Sequence, residues 1–334
     1  MSAVISSERL RAWAEEERFD LAGVARAGAV GAEQAEALRG WLARGGQGGM
    51  AYLARGVEER LDVRRLAPGA RSVVCVGVSY FTGGLAGGSA AVGRAAGRVA
   101  RYAWGRDYHE VVRERLGRLA ERVRASCPQV RVLRCFVDTA PLLEKAWAAG
   151  AGLGWIGKNG LLINERLGSW LVLGEIVTDL EFDRYGEPAA GGCGACRRCL
   201  EACPTGALAG EAGCGGLDAR RCISYLTVEG RGELPGDLAG RMGDWLFGCD
   251  VCQEVCPFNE RAARTADGDF LPRGSWARPE LGELLGMGAA EFARRFAGSS
   301  VARAGYEHLR RVAENCWRNL GRGVEPPRRQ GTKA

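Results

Sequence analysis

Two short cysteine runs, each ending in Cys-Pro, stand out in this sequence. Residues 193–204 read CGACRRCLEACP, with the spacing C-x2-C-x2-C-x3-C-P. Residues 249–257 read CDVCQEVCP and repeat the pattern, with Leu246 where its first cysteine would stand. In bacterial two-cluster ferredoxins this spacing binds iron–sulfur clusters, and the fourth cysteine of a run ligates the other cluster. The runs therefore predict a ferredoxin-like domain with two 4Fe–4S clusters.

Two such clusters need one more cysteine than the runs provide. They take eight thiolates, and the runs supply seven, namely Cys193, Cys196, Cys199, Cys203, Cys249, Cys252 and Cys256. The eighth must come from the other cysteines, which are Cys75, Cys127, Cys135, Cys214, Cys222 and Cys316. Cys214 and Cys222 both lie between the runs, and spacing alone does not choose between them.

Zinc and disulfides are the competing uses of cysteine. Zinc sites usually show two well-separated pairs, not a four-cysteine run followed by a three-cysteine run. Disulfide frameworks are typical of short secreted chains, whereas this chain has 334 residues and its N-terminus shows no apolar signal core. Thirteen cysteines in such a chain indicate the reducing cytoplasm. The sequence has no apolar run of about 18 residues, so we expect no membrane-spanning helix.

The order of predicted elements divides the chain into three regions. We expect a mixed α/β (α+β or α/β) domain over 1–185, a cluster domain over 186–260, and a helical region with a basic tail over 261–334. Apolar stretches rich in valine or alternating in polarity predict strands at 21–26, 72–81, 130–138 and 169–180. Helices are predicted at 5–17, 32–44, 50–62, 106–126, 141–150, 219–229, 287–297 and 304–323, and after each cysteine run.

Some finer expectations accompany these elements. Ser6 or Ser7 is expected to cap the first helix, and Pro141 to lie in the first turn of the helix at 141–150. The glycine- and alanine-rich stretch 83–97 is expected to be a loop that is either mobile or lies over a ligand. The tail 326–334 is expected to be disordered.

Positive charge is concentrated in two places. The net charge of +6 is mild, but residues 98–124 carry eight arginines and four acidic residues. The last 17 residues carry five basic groups and one acidic group. Basic faces of this kind attract polyanions such as nucleic acid. A solvated helix face gives the same pattern, and charge alone favours that interpretation.

A glycine motif, GLGWIG, occupies residues 152–157. It matches the G-x-G-x-x-G fingerprint of dinucleotide-binding folds, but that fingerprint follows a strand and begins a helix. Here a predicted helix precedes it and a polar Lys-Asn-Gly turn follows. We therefore expect a glycine loop that lets the backbone approach a large flat ligand, or a plain turn.

Asp138 follows a predicted buried strand. A carboxylate facing a cleft at a strand end can have a raised pKa and act as a general acid. Alternatively, Asp138 caps the helix expected from Pro141, and from the residues alone the cap is favoured. The two histidines, His109 and His308, are expected to be solvated or core residues.

Together, several stretches make the chain similar to the epoxyqueuosine reductase family over nearly its whole length. They are RLAPGARSVVCVG (65–77), VARYAWGRDYH (99–109), FVDTAPLLEKAWAAGAGLGWIGKNGLLI (136–163), GSWLVLGEI (168–176), RRCISYLTVEG (220–230), WLFGCDVCQEVCPFN (245–259) and both cysteine runs. The match over 136–163 is specific to this family and its close relatives, whereas the cysteine runs alone are not.

The resemblance implies cofactors and a fold. A base-off cobalamin would lie between a nitroreductase-like α/β domain and the ferredoxin-like domain. The residues it implies for cobalamin binding are Arg60, Tyr102, Asp138, Lys158, Asn159, Gly160, Ser169, Ser224 and Asp250. It also implies one cluster on Cys193, Cys196, Cys199 and Cys256, and the other on Cys203, Cys222, Cys249 and Cys252.

The implied reaction is the conversion of epoxyqueuosine, at the wobble position of a tRNA, to queuosine. Asp138 matches the proposed proton donor of the family, which reverses the preference for the cap. The basic helix 106–126 and the basic C-terminal region then become expected contacts to the anticodon stem-loop. A small ferredoxin- or flavodoxin-type protein is expected to supply electrons to a monomeric enzyme.

Three alternative functions compete with this interpretation. A reductive dehalogenase also combines cobalamin with two clusters, but usually carries a twin-arginine signal that the N-terminus here lacks. A ferredoxin-like electron carrier needs no large N-terminal domain. The third alternative is a tRNA-binding module whose clusters are structural. Loss of activity with retained binding on substitution of Asp138 would argue against it.

Overall fold

The computed structural model describes residues 4–84, 95–189, 191–208 and 216–321. Its strands are β1 (Val4–Ile5), β2 (Leu21–Arg26), β3 (Ser72–Ser79), β4 (Arg98–Val99), β5 (Leu133–Phe136), β6 (Trp155–Ile156), β7 (Leu162–Ile163), β8 (Leu171–Thr178), β9 (Glu181–Phe182) and β10 (Trp245–Phe247). Its α-helices are α1 (Ser7–Glu16), α2 (Ala32–Ala43), α3 (Val57–Leu61), α4 (Val63–Leu66), α5 (Tyr108–Ser126), α6 (Glu144–Gly150), α7 (Arg198–Glu201), α8 (Ile223–Val228), α9 (Gly236–Ala239), α10 (Val251–Glu254), α11 (Pro257–Glu260), α12 (Leu281–Gly286), α13 (Ala289–Arg295) and α14 (Tyr306–Asn319).

A four-stranded sheet with the order β2-β3-β8-β5 forms the centre of the N-terminal part. Every neighbouring pair in it is antiparallel. All eight residues of β3 are buried, as expected for a valine-rich strand covered on both faces. The four strands predicted from the sequence are therefore confirmed, although β5 is much shorter than the predicted 130–138.

Helices cover both faces of this sheet. On one face α5 packs against β8, and Gly174 makes the approach close, because a Cβ there would lie 2.7 Å from Val112. The opposite face is covered by α6, whose Trp147 and Ala148 join Cys75 of β3 in a second core. Side chains alternate between the two faces along each strand, so Glu175 of β8, the partner of Cys75, lies on the α6 side.

Several predicted helices are confirmed with altered ends. Ser6 caps α1, where its Oγ accepts from Arg9 N at 3.4 Å. The stretch 50–62 is split into a short 3-10 turn and α3, because Gly56 adopts a positive φ of 64° between them. The prediction of a helix from Pro141 was wrong, since α6 begins at Glu144. Asp138 is consequently too far from this helix to cap it.

The helices near the cysteine runs also differ in position from those predicted. A helix was predicted after each run, but the four-residue α7 and α10 lie within the runs, between their cysteines. After the second run α11 follows as predicted, with Pro257 at its first position, and the described residues 204–208 after the first run contain no helix. Predicted helix 219–229 is a 3-10 turn followed by α8.

The C-terminal helices share a core with earlier parts of the chain. Their apolar residues pack with residues 95–104 and 223–247, and β10 pairs in parallel with β4. The predicted helices 287–297 and 304–323 correspond to the shorter α13 and α14. The domain limits 1–185, 186–260 and 261–334 stay a prediction.

A buried polar seam joins the second cysteine run to the sheet. Asn259 Oδ1 accepts from Ser169 N at 2.6 Å, and Ser169 Oγ donates to Gln253 Oε1 at 3.0 Å. Gln253 in turn lies 3.3 Å from the hydroxyl of Tyr80, which follows β3. Buried polar groups are stable only when paired in this way, so the seam fixes the position of α10 against the sheet.

Much of the positive charge of α5 is neutralised within the molecule. Arg115 is buried and pairs with Asp267 and Asp269, and Arg118 and Arg122 both pair with Glu17. The helix therefore offers fewer free cations to nucleic acid than its sequence indicates.

Three expectations concern parts of the chain that lie outside the described residues: the tail 326–334, most of the loop 83–97, and Cys214. No helix among the described residues has the length and apolarity needed to cross a lipid bilayer.

Candidate functional site

A cavity of about 450 Å³ lies where the sheet domain meets the cysteine region. Its wall combines aromatic side chains with a few polar groups, a composition typical of ligand pockets. The residues that line it include Trp41, Tyr52, Tyr80, Tyr102, Tyr108, Asp138, Asn159, Cys203, Cys222, Ser224, Tyr225, Cys249, Asp250, Cys252 and Gln253. Acidic side chains and four cysteines thus face one space.

The remaining four cysteines of the two runs line a second, smaller cavity. They are Cys193, Cys196, Cys199 and Cys256. All twelve described cysteines are free thiols. In the described part of the chain no three His, Cys, Asp or Glu side chains converge to hold a single metal ion. Cysteines that hold a cubane cluster surround a space, so they stand further apart than the ligands of one ion.

The hairpin formed by β6 and β7 separates the two cavities. Asn159, in its loop, lines both of them. The neighbouring Lys158 donates from Nζ to the carbonyl oxygens of Gly194 and Cys196 at 2.7 and 3.0 Å, which ties the hairpin to the first cysteine run. The hairpin is therefore a shared wall.

The glycine motif before this loop serves the hairpin itself. Gly154 has a φ of +156°, and a Cβ there would lie 2.1 Å from the carbonyl oxygen of Ile163. At Gly157 a Cβ would lie 2.4 Å from the same isoleucine side chain. The group approached at these two glycines is the facing strand, which agrees with the alternative of a plain turn, and the approach of a flat ligand stays a prediction.

Asp138 sits in a tight turn just beyond β5. Its φ is +54°, a left-handed conformation that is uncommon for residues other than glycine, although aspartate adopts it more readily than most. Thr139 N donates to Val137 O at 2.5 Å across the turn. This conformation directs the carboxylate toward α5, and the side chain remains 49% exposed.

The first turn of α5 supplies two partners for the Asp138 carboxylate. Tyr108 donates its hydroxyl to Asp138 Oδ2 at 2.9 Å, and His109 Nε2 lies 2.9 Å from the same oxygen. The other ring nitrogen of His109 lies 2.6 Å from Oδ1 of Asp107, the N-cap of α5. Ser300 Oγ also donates to Asp107, at 3.2 Å. His109 therefore bridges two carboxylates.

These contacts decide which group holds the proton. Burial raises the pKa of Asp138, but hydrogen bonds from His109 and Tyr108 outweigh it and leave the pKa below its ordinary value. Burial lowers the pKa of His109, but the hydrogen bonds to Asp107 and Asp138 raise it above its ordinary value. The expectation of a raised pKa at Asp138 was wrong. Both shifts favour an imidazolium paired with a carboxylate.

Two further carboxyl groups lie behind Asp138. Glu144, the first residue of α6, accepts the backbone N–H of Asp138 through Oε1, and burial followed by the charge of Asp138 raises its pKa to about 7. Glu175 is fully buried, and neither of its oxygens has a hydrogen-bond partner among the described residues. Burial followed by the charge of Glu144 raises the pKa of Glu175 well above its ordinary value.

Of the residues that the resemblance implies for cobalamin, five line the large cavity: Tyr102, Asp138, Asn159, Ser224 and Asp250. The other four stand elsewhere. Lys158 faces the small cavity, Ser169 is buried in the polar seam, Arg60 is buried behind the cavity near Tyr52, and Gly160 lies in the hairpin turn. Similarity over a stretch of sequence does not reveal which of its residues face the cavity.

His109 belongs to the site, although the sequence predicts only a solvated or core histidine there. The structure buries it between two carboxylates. A signal was present in Asp107-Tyr108-His109, because an N-cap aspartate followed by two polar rings places all three at the start of α5. Tyr52, Tyr80 and Tyr225, which line the cavity, carried no local signal.

Taken together, the fold and the site define an oxidoreductase in which clustered cysteines and an acidic group share one pocket. A protein-family model described as "4Fe-4S double cluster binding domain" matches residues 192–259. Another, described as "Epoxyqueuosine reductase QueG, DUF1730", matches residues 60–139.

Whole-chain comparisons agree with these matches. An epoxyqueuosine reductase of Gloeobacter violaceus is 45% identical over 89% of this chain and 91% of the relative, and one of Escherichia coli is 38% identical over 91% of this chain and 78% of the relative. A crystal structure of epoxyqueuosine reductase with an epoxyqueuosine-modified tRNA-Tyr stem loop superposes with a TM-score of 0.87, at 31% identity over 94% of this chain and 81% of that chain. The chain belongs to the epoxyqueuosine reductase family. Similarity to a reductive dehalogenase is distant, at 17% identity.

Proposed function

We propose that this chain reduces the epoxide of epoxyqueuosine, at the wobble position of a tRNA, to the alkene of queuosine, with two 4Fe–4S clusters and a bound cobalamin. The observation that carries the proposal is that Asp138 lines the same cavity as Cys203, Cys222, Cys249 and Cys252. Electrons and a proton would therefore reach one space from different sides. An electron carrier has no need of such an acidic wall.

The lining of the two cavities supports the assignment of cysteines to clusters. One cluster would be held by Cys193, Cys196, Cys199 and Cys256, which surround the small cavity. The other would be held by Cys203, Cys222, Cys249 and Cys252, beside the large one. Each group takes cysteines from both runs, as in two-cluster ferredoxins. The cluster by the large cavity would be the one that passes electrons to cobalt.

The large cavity has features suited to cobalamin. Its lining is mostly apolar and aromatic, as the face of a large macrocycle requires. Two buried polar atoms at its wall, Asn159 Nδ2 and Asp250 Oδ1, have no hydrogen-bond partner among the described residues. Because unpaired buried polar atoms are costly, they are suited to the amide groups of a corrin rim. With Tyr102 and Ser224, these residues would hold the cofactor, which when bound supplies a low-potential, strongly nucleophilic metal.

The protein residues would manage the protons. Conversion of an epoxide to an alkene takes up two electrons and two protons and releases the oxygen as water. His109 holds a proton 2.9 Å from Asp138, so Asp138 can accept it and deliver it to the substrate oxygen as the C–O bond breaks. Asp107 would stabilise the imidazolium from the other side. Asp138 is thus the proton donor, and His109 replenishes it.

The tRNA would approach from the exposed side of Asp138. The relative solved with a modified tRNA stem loop supports a tRNA substrate. Arg303, an exposed residue of the 3-10 helix Ser300–Ala304, is close enough for its charge to lower the pKa of Asp138. We propose it as a contact for a phosphate beside the extruded wobble base. A small ferredoxin- or flavodoxin-type protein would donate single electrons at the cluster side.

The test is a product assay on the reconstituted protein. The chain is loaded anaerobically with iron, sulfide and cobalamin, reduced, and given a stem-loop that carries epoxyqueuosine. We expect mass spectrometry of the nucleosides to show loss of one oxygen atom only when cobalamin and reductant are both present. If the epoxide persists while a halogenated phenol is dehalogenated, the chain is a dehalogenase and the proposal fails.

A further inference from the structure

A single carboxyl group contacts the backbone N–H of Asp138. Asp138 lies two residues beyond Phe136, where the β5 ladder ends, so its N–H is not part of that ladder. Glu144 accepts this N–H through Oε1. The turn is exposed, so without this acceptor the N–H would bond to water and the Glu144 carboxyl group would no longer hold the left-handed conformation. Since the turn directs the carboxylate toward His109 and Tyr108, its geometry governs the acid site.

We infer that Glu144 is the positioning residue of Asp138: its carboxyl group anchors the left-handed turn and stands beside the acid as a second ionisable group. This inference rests on the role proposed for Asp138. Glu144 does not face the substrate side, since it is absent from the residues lining the large cavity. Its influence on the reaction would pass through Asp138 alone.

The surroundings of Glu144 are consistent with this role. Glu175 faces it from β8 and Cys75 from β3, while His109 and Tyr108 face it from α5. On its own helix, Lys145 is exposed and its charge favours the ionised form of Glu144. Neither oxygen of Glu175 has a hydrogen-bond partner within the described ranges, and burial raises its pKa well above its ordinary value, which favours the neutral form. Glu144 is therefore the group behind Asp138 whose charge changes near neutral pH.

An ordinary helix start is the competing explanation. A carboxylate in the first turn of a helix is stabilised by the helix dipole whether or not it contacts anything else. That explanation predicts a small effect on stability and none on the reaction. The contact from Asp138 N predicts an effect on turnover.

The test compares Glu144→Ala with Glu144→Gln in the reconstituted enzyme. The amide of Glu144→Gln keeps an acceptor oxygen for Asp138 N–H, whereas alanine removes it. We expect Glu144→Ala to lower kcat by about 10²-fold with little change in KM, because a displacement of about 1 Å at a reacting group costs about that much. Crystals of the variant should show that Asp138 has left its contacts with Tyr108 and His109.

The pH profile separates positioning from a structural role. Glu144, with a pKa of about 7, loses its proton as pH rises and adds a negative charge beside Asp138. This charge favours retention of the proton by the Asp138–His109 pair. In Glu144→Gln the charge is absent, so we expect kcat near that of the parent at pH 6 and an alkaline limb shifted to lower pH. An unchanged limb would show that Glu144 does not act on the acid. Glu110→Gln, an exposed carboxylate on α5, is the matched control and should behave as the parent.

The Asp138→Asn variant, measured in the same assay, distinguishes failure of the proton-donor role of Asp138 from failure of the positioning role of Glu144. If Asp138→Asn turns over at the parental rate, the proposed proton donor is wrong and the positioning role falls with it. If Asp138→Asn is inactive and Glu144→Ala is fully active, only the positioning role is overturned.

Discussion

The cysteine region and the acid site are built in opposite ways. Between residues 193 and 257 the regular elements are short: α7 and α10 have four residues each and β10 has three. Asp138, by contrast, lies against the 19-residue α5 and the eight-residue β8 with its neighbours in the sheet. Isolated elements as short as α7 are not stable in water. The cysteine runs contain little regular structure of their own, whereas the acid site is supported by packed helices and strands.

This difference explains why the polar seam matters. Through Asn259 and Ser169 the seam attaches the second cysteine run to the end of β8. The second cysteine run is thereby held in a fixed position relative to the packed sheet beside the acid site. The cavity between them needs both to be in place.

Removal of iron should separate the two regions most clearly. After anaerobic chelation we expect the backbone amides of residues 193–204 and 249–257 to lose most of their protection against hydrogen exchange, because metal binding there supplies folding free energy. The amides of β3 and β8 should stay protected. Equal loss of protection in both regions would contradict the distinction.

Loss of one cluster ligand should have the next largest effect. In Cys222→Ala we expect iron content to fall from about eight to about four per chain, or one cluster to convert to a form with fewer irons, and turnover to be abolished. Cys135→Ala is the matched control, since Cys135 is exposed on β5. Iron near eight per chain in Cys222→Ala would remove Cys222 from the cluster.

Substitution of the acid should leave the cysteine region intact. Asp138→Asn keeps the size of the side chain but cannot donate the carboxyl proton, so we expect turnover to fall by about 10²- to 10⁴-fold. Iron content, cobalamin binding and stem-loop binding should match those of the parent. Loss of activity with retained binding would also exclude a purely tRNA-binding module.

The smallest expected effect is on stability as a function of pH. The folded-state pKa of His109 is raised by Asp107 and Asp138 against the effect of burial. The stabilisation this provides is fully present below the unfolded pKa of histidine, about 6.5, and is lost as pH rises through the higher folded value. We expect the unfolding free energy of the parent to decrease over that interval, and that of His109→Gln to lack the decrease. Denaturation at several pH values measures it.

The two regions also differ in how far the sequence predicts them. Cysteine spacing is local, so the runs indicated iron–sulfur clusters directly, and the buried strand β3 was evident from its valines. The acid site is assembled from α5, the turn after β5, α6 and β8, which are distant in the chain. A single residue such as Glu175 carries no pattern, and the contact of His109 with Asp138 follows only from the tertiary structure.

Local pattern also misjudged elements whose ends are set by backbone geometry. Pro141 is a favourable first helical residue, yet the left-handed Asp138 and the turn after it delay α6 to Glu144. The raised pKa expected at Asp138 failed for a similar reason, since its hydrogen-bond donors come from another helix.

The central claim is that electrons held by the cysteine region are consumed at the acid site by an epoxide. Anaerobic mixing of the reduced, reconstituted chain with a stem-loop, followed by EPR of the clusters, measures this directly. We predict that the stem-loop with epoxyqueuosine reoxidises the clusters, with two electrons consumed per epoxide, whereas the same stem-loop with queuosine leaves them reduced. Clusters that stay reduced with both, or reoxidise equally with both, would contradict the claim.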